Sequence, residues 1–138
     1  MKFISGIVLF CFAAVASLEG QTSDTLKYKS IDPYYFHLEY LKNDPALLLD
    51  VRLPFEFKRR HIRDAINVPS SRQLNDMADT LTTDYYLFLY CTDGFRSKRA
   101  AEILYDRGFR RAYNLEGGIQ AWRKEKMPVV RGKRRKRD

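Results

Sequence analysis

The run Tyr85-Tyr86-Leu87-Phe88-Leu89-Tyr90, followed at once by Cys91-Thr92-Asp93-Gly94-Phe95-Arg96-Ser97, constrains this chain more than any other stretch. Six apolar or aromatic residues with no charge read as a central strand, buried on both faces. In an open sheet of such strands, ligands gather at the carboxyl ends. Here that end carries a cysteine, a short loop with glycine and arginine, and then a helical pattern. Successive backbone N–H groups in a curled loop, with a helix N-terminus beyond, make a positive field around whatever the loop encloses. The stretch therefore reads as a thiol at the base of an anion-binding loop.

The surrounding patterns alternate between helix and strand, which predicts an α/β fold. Asp32-Pro33 supplies an N-cap and a first-turn proline, and Phe36, Tyr40 and Leu41 recur at helical spacing until Asn43-Asp44-Pro45. Ala46 to Arg52 is a short apolar run closed by charges, so Asp50 and Arg52 fall near the active edge of the sheet. Leu53 to Arg60 predicts a short helix, residues 65–69 a brief strand, and residues 73–79 a helical turn or two. After the loop, residues 98–108 place Ala100, Ile103 and Leu104 on one face, with Gly108 as the stop. Residues 112–115 predict another strand, and Gly117-Gly118 opens a last helix ending before Pro128. With 138 residues, 45% of them hydrophobic, the chain has room for one domain.

Both ends read differently from this middle. Residues 1–16 have a lysine near the start, an apolar run too short to span a bilayer comfortably, and Ala14-Val15-Ala16 as a cleavage site. This predicts a signal peptide and export to a periplasm or the exterior, with an uncleaved membrane anchor as the alternative. Residues 17–31 read as a polar lead-in, residues 32–129 as the domain, and residues 130–138 as a basic disordered tail. From Arg131 onward the tail holds six of the 25 Lys and Arg residues and one acid, so the net charge of +8 owes +5 to it. Its functional reading is contact with anionic lipid headgroups or an acidic partner. The run lacks interleaved aromatics, and no nucleic-acid partner is expected.

Signal removal takes Cys11 away and leaves Cys91 alone in the mature chain. That excludes an internal disulfide, a CxxC redox pair and a multi-thiolate zinc site. No histidine and carboxylate cluster has metal spacing, so neither a metal nor another cofactor is expected. A single thiol in an exported protein signals a reactive group or pairing between molecules.

Four blocks in order resemble the single-domain rhodaneses. They are Leu48-Leu49-Asp50-Val51-Arg52 with Glu56-Phe57; His61-Ile62 with Ala65 to Pro69; Cys91 to Ser97; and Gly108-Phe109 through Tyr113 to Ile119 and on to Trp122. The resemblance implies a three-layer α/β/α fold with a small parallel β-sheet flanked by helices. It also implies a sulfurtransferase whose Cys91 cycles between thiol and persulfide, with a small-molecule or protein sulfur donor and a thiol or cyanide acceptor. Cys91 is then the nucleophile, Thr92, Asp93, Gly94, Phe95, Arg96 and Ser97 form the substrate-binding cradle, and Asp50 and Arg52 support the loop.

From Cys91 to Arg96 the spacing is C-x4-R, where related phosphatases and arsenate reductases carry C-x5-R. The shorter loop suits a single sulfur atom better than a tetrahedral oxyanion. Two rivals stay open: a non-catalytic binding module of the same fold, and a phosphatase-like thiol enzyme. Departures from the pattern concern specificity. Thr92-Asp93 stands where thiosulfate-using members often have a basic residue, and an Asp93 facing the pocket would repel a dianionic donor. Arg60 replaces the usual glycine before His-Ile, and Arg63-Asp64 replaces the Pro-Gly that commonly follows. His61 reads as a packing or capping residue and Trp122 as core. No coiled-coil or interface pattern appears, and a monomer is expected.

Overall fold

Strand β4 (Tyr86–Tyr90) lies at the centre of a five-stranded, wholly parallel sheet in the computed structural model, which describes residues 26–132. The sheet order is β1 (Lys29–Ile31), β5 (Ala112–Leu115), β4, β2 (Ala46–Asp50) and β3 (Ile66–Asn67). β4 pairs with β2 from Ala46 opposite Tyr86 to Asp50 opposite Tyr90, and with β5 through Leu87 opposite Ala112. The predicted signal segment and residues 133–138 lie outside the described residues.

Alternation along the strands divides the core into two layers, because successive side chains leave opposite faces of a sheet. Leu49, Val51, Leu87, Leu89 and Cys91 pack on α3 (Ser71–Ala78) and α4 (Phe95–Asp106). Leu48, Phe88, Tyr90 and Leu115 pack on the other face against α1 (Pro33–Lys42) and α5 (Gly118–Lys124), through Phe36, Ile119 and Trp122. This is the three-layer α/β/α arrangement.

Local signals account for the helix ends. The Asp32 carboxylate accepts the Tyr35 N–H at 3.0 Å, with Pro33 in the first turn, as the sequence predicts. Gly108, at φ 98°, donates to the Tyr105 carbonyl while Phe109 donates to that of Leu104, the paired bonds that close α4. Two boundaries differ from expectation. Lys29–Ile31, read as polar lead-in, form the edge strand β1 beside β5, because an edge strand needs only backbone pairing on one side. Val130 to Gly132, read as free tail, are tied down: Val130 and His61 exchange backbone bonds of 2.8 and 2.9 Å, and the Gly132 N–H reaches the Lys58 carbonyl.

The chain leaves β4 toward β5 through α4, and leaves β2 toward β3 through α2 (Pro54–Arg59). These connections run to opposite sides, so a crevice opens between the carboxyl ends of β2 and β4. Cys91 and α2 meet there.

Candidate active site

Cys91 is the first residue after β4 and is 0% exposed. Its sulfur receives the Gly94 N–H at 3.1 Å and lies 3.4 Å from the Ser97 hydroxyl. Gly94 adopts φ 103°, the left-handed turn that lets the loop double back onto the sulfur and begin α4. The Phe95 N–H is taken by the Asp93 carboxylate at 3.1 Å, so fewer N–H groups reach the sulfur than a full cradle over residues 92–97 would supply. The Phe95 ring is 77% exposed beneath the Lys98 ammonium.

Asp93 faces the sulfur: its Oδ1 lies 3.7 Å from Sγ, at thiol hydrogen-bond distance. It makes no salt bridge with Arg96 or Lys98. Negative charge is therefore concentrated where a reactant must approach.

Arg96 clamps the loop instead of pointing at the sulfur. Its guanidinium makes a two-pronged pair with Glu56 of α2, at 2.9 and 3.1 Å, and donates to the Thr92 hydroxyl at 3.0 Å. Thr92 in turn donates to Glu56 Oε1 at 3.0 Å, and the Leu53 N–H reaches Oε2 at 2.9 Å. The Arg96 guanidinium, helped by the Leu53 N–H and the Thr92 hydroxyl against partial burial, pulls the Glu56 carboxyl down from 4.5 to about 2. Glu56 raises the Arg96 pKa in return. A depressed carboxylate stabilises the fold fully above its unfolded value, and that contribution disappears as pH falls through the folded value. The native protein should thus lose this contribution between pH 4.5 and about 2. Glu56→Gln should be less stable at neutral pH and show a flatter acid limb when unfolding midpoints are measured against pH.

Asp50 and Arg52 form a buried two-pronged pair at 3.0 and 2.7 Å. The expected support of the cysteine loop takes another route. Arg52 donates to the Arg60 carbonyl at 2.5 Å, and Asn67 caps the carbonyls of Asp50 and Arg52, so the pair braces the turn after α2. The Arg52 guanidinium lies over the Tyr90 ring at 5.6 Å, the Tyr90 hydroxyl accepts the Ile62 N–H, and burial, with Asp50 nearby, pushes the Tyr90 pKa up. Asp50→Asn should cost about 2 to 3 kcal/mol in urea unfolding, because Arg52 stays buried with its charge uncompensated. His61 caps α2 through Nδ1 to the Phe57 carbonyl at 2.9 Å and stacks on the Phe57 ring.

Three contributors were not singled out as site residues from sequence: Glu56, Asn114 and Ser30. The Ser97 hydroxyl lies 2.6 Å from Asn114 Oδ1, and Asn114 Nδ2 donates to Ser30 at 2.8 Å. A polar line thus runs from the exposed Ser30 on edge strand β1 through the buried Asn114 and Ser97 to the sulfur. Its one visible signal is an asparagine inside the otherwise apolar Ala112 to Leu115. No group of three or more His, Cys, Asp or Glu among the described residues is placed to hold a metal ion.

A single thiol at a β4–α4 turn, gripped by the helix start and clamped to α2, fits what a comparison with known families finds. A model described as "Rhodanese-like domain" matches residues 37–125. This chain belongs to the rhodanese-like family. Among curated relatives, the rhodanese-like chain is 37% identical to the uncharacterised Bacillus subtilis protein YqhL, over 84% of this chain and 90% of that one. It is 33% identical to the tRNA uridine(34) hydroxylase of Chlamydia trachomatis over 75% of its own length, yet spans only 34% of the hydroxylase. A crystal structure of a rhodanese-related protein from Thermoplasma volcanium superposes with a TM-score of 0.63 at 36% identity, covering 75% of this chain and 98% of that one.

Proposed function

We propose that this rhodanese-like protein is a sulfurtransferase that carries sulfane sulfur on Cys91 and passes it to a thiol or to cyanide. The observation that carries the reading is one buried thiol at the amino end of α4 with the Gly94 N–H on its sulfur. The start of α4 and the Gly94 N–H put positive partial charge against the sulfur, which suits a group transfer whose leaving groups are anions. The six-residue loop from Cys91 to Arg96 supports sulfur over a tetrahedral oxyanion.

In the first half-reaction the Cys91 thiolate attacks the sulfane sulfur of the donor. The new Sγ–S bond forms as the donor's own bond to that sulfur breaks, and the electron pair leaves with the donor group. An acceptor thiolate then attacks the outer sulfur, and Cys91 departs as thiolate. The Arg96 and Ser97 N–H groups lie in the first turn of α4, beyond the reach of any carbonyl of that helix, and serve the outer sulfur. The Asp93 carboxylate beside Sγ disfavours thiosulfate, which brings two negative charges to the reacting end. Export after cleavage near Ala16 belongs to the same proposal and is read from the mass of the chain recovered outside the cytoplasm.

The test is intact mass spectrometry after incubation with an organic persulfide, a polysulfide and thiosulfate. One added sulfur is expected from the first two and slower addition from thiosulfate. Absence of an adduct with every donor rejects the reading and leaves a binding module.

A further inference from the structure

Arg60 stands where the family resemblance puts glycine, and the structure shows where its charge goes. Arg59 and Arg60 line two adjoining hollows. One, of about 350 Å³, is also bounded by Arg123, Gln120 and Thr92, the residue after Cys91. The other, of about 610 Å³, is bounded by Lys58 and Arg131. None of Lys58, Arg59, Arg60, Arg123 or Arg131 forms a salt bridge with a described acidic residue. Arg52 and Glu56, which share the wall, are already neutralised by Asp50 and Arg96. The crowding depresses the Arg60 pKa, with Arg123 the largest cause, then burial, Arg131 and Arg59.

Cations favour the carbonyl end of a helix, which accounts for Arg59 at the end of α2 and Arg123 at the end of α5 taken singly. It does not account for their convergence. The pairing of Val130 with His61 and the Gly132 bond to Lys58 bring Arg131 onto a site already positive. Gly132 suits this close approach, since a Cβ there would lie 2.8 Å from the Lys58 carbonyl oxygen. Backbone bonds thus hold like charges together, an arrangement that an anion relieves.

We infer that the hollow binds the remote anionic groups, carboxylate or phosphate, of a low-molecular-weight thiol that exchanges sulfur with Cys91, with Arg59, Arg60 and Arg123 setting this specificity. The inference rests on the sulfur-transfer reading of Cys91. Asp93 and the arginines act as a pair of filters: charge is unwelcome at the reacting sulfur and welcome beside Thr92. A thiol whose anionic groups are set back from its sulfur satisfies both. The guanidinium fork suits carboxylate and phosphate alike. In the transfer, the acceptor thiolate attacks the outer sulfur, the Sγ–S bond breaks with its electron pair on Cys91, and the acceptor leaves as a persulfide.

The experiment loads Cys91 with sulfur from an organic persulfide and measures transfer to mercaptoethanol, cysteamine, 6-mercaptohexanoate and phosphopantetheine. The kcat/KM of the two anionic thiols is expected to exceed that of mercaptoethanol by about tenfold, the scale of one charge-assisted hydrogen bond, and that of cysteamine to be the lowest of the four. Mercaptohexanoate and phosphopantetheine, whose charges are set back from the sulfur, separate a carboxylate from a phosphate preference. In the Arg60→Gln/Arg123→Gln double variant the ratio should collapse toward one through KM, while Lys42→Gln on α1 keeps it. Binding is read independently of Cys91 chemistry by NMR shifts of the Gln120 and Arg123 amides on adding succinate or inorganic phosphate. Those shifts should persist even if no donor loads the thiol, which separates failure of this inference from failure of the sulfur-transfer reading. An equal ratio in native and double-variant proteins overturns the proposal. So do amides that respond to an acidic peptide but to neither small anion, which would make the hollow a protein-docking face.

Discussion

Cys91→Ser is expected to take up no sulfur from any donor while keeping its fold. Serine matches the thiol in shape, and its oxygen still accepts the Gly94 N–H, so the polar surroundings of Sγ keep a partner. The cost should stay at about 1 kcal/mol, a shift of a few degrees in thermal unfolding. Chemistry is affected differently. A serine hydroxyl forms no bond to sulfane sulfur under these conditions, whereas a thiolate does. Intact mass spectrometry with a sulfane donor reads the first half of the prediction, and calorimetry the second. The chain holds one other cysteine, Cys11, within the predicted signal. Protein beginning at Ser17 therefore makes the comparison clean, and a sulfur adduct on the Cys91→Ser form of that protein would remove Cys91 from the mechanism.

Gly118→Ala is expected to cost about 4 kcal/mol and to reduce sulfur transfer by more than tenfold. Gly118 sits at φ 61°, a region that penalises any Cβ by about 1 to 2 kcal/mol. The added methyl would also lie 2.5 Å from the Thr92 carbonyl carbon and oxygen and 2.6 Å from the Asp93 nitrogen. These are backbone atoms of the cysteine loop, so they cannot swing aside as a side chain would. The Ile119 N–H bonds the Cys91 carbonyl at 2.9 Å and the Gln120 N–H that of Thr92 at 3.1 Å. Relieving the clash therefore means parting α5 from the loop and losing both bonds. Urea unfolding and transfer rates measure the two effects. Gly108→Ala is the control: its φ of 98° brings a comparable backbone penalty, but the nearest atom is a Thr83 methyl at 3.4 Å. Stability should fall by about 1 to 2 kcal/mol there, with transfer per folded molecule unchanged. Equal losses of transfer in both variants would show that the loop does not depend on α5.

Much of the fold was legible because its signals are local. The Asp32 cap, the apolar run ending at Tyr90, the glycine stop after α4 and the cysteine loop each declare themselves within a few residues. Edge strand β1 was not legible, since Lys29-Ser30-Ile31 buries little and is defined by the partner it pairs with. Helix α4 begins three residues before the expected start at Lys98, because Phe95, Arg96 and Ser97 belong to the helix and not to the loop. Only the structure shows that the left-handed turn at Gly94 lets the helix begin immediately.

The candidate site divides in the same way. From the sequence alone came the parallel α/β architecture, the thiol at a strand end and the helix beyond it, because periodicity and turn chemistry depend on neighbours along the chain. The tertiary structure decided what each charge meets. Arg96 pairs with Glu56, 40 residues away, and not with an anion at the sulfur. Asp50 and Arg52 brace the turn at Arg60. Asp93 turns toward Sγ, and Arg59, Arg60, Arg123 and Arg131 converge. The physical reason is that the partner of a long charged side chain depends on which strand ends the crossovers bring together, and no local pattern records that choice.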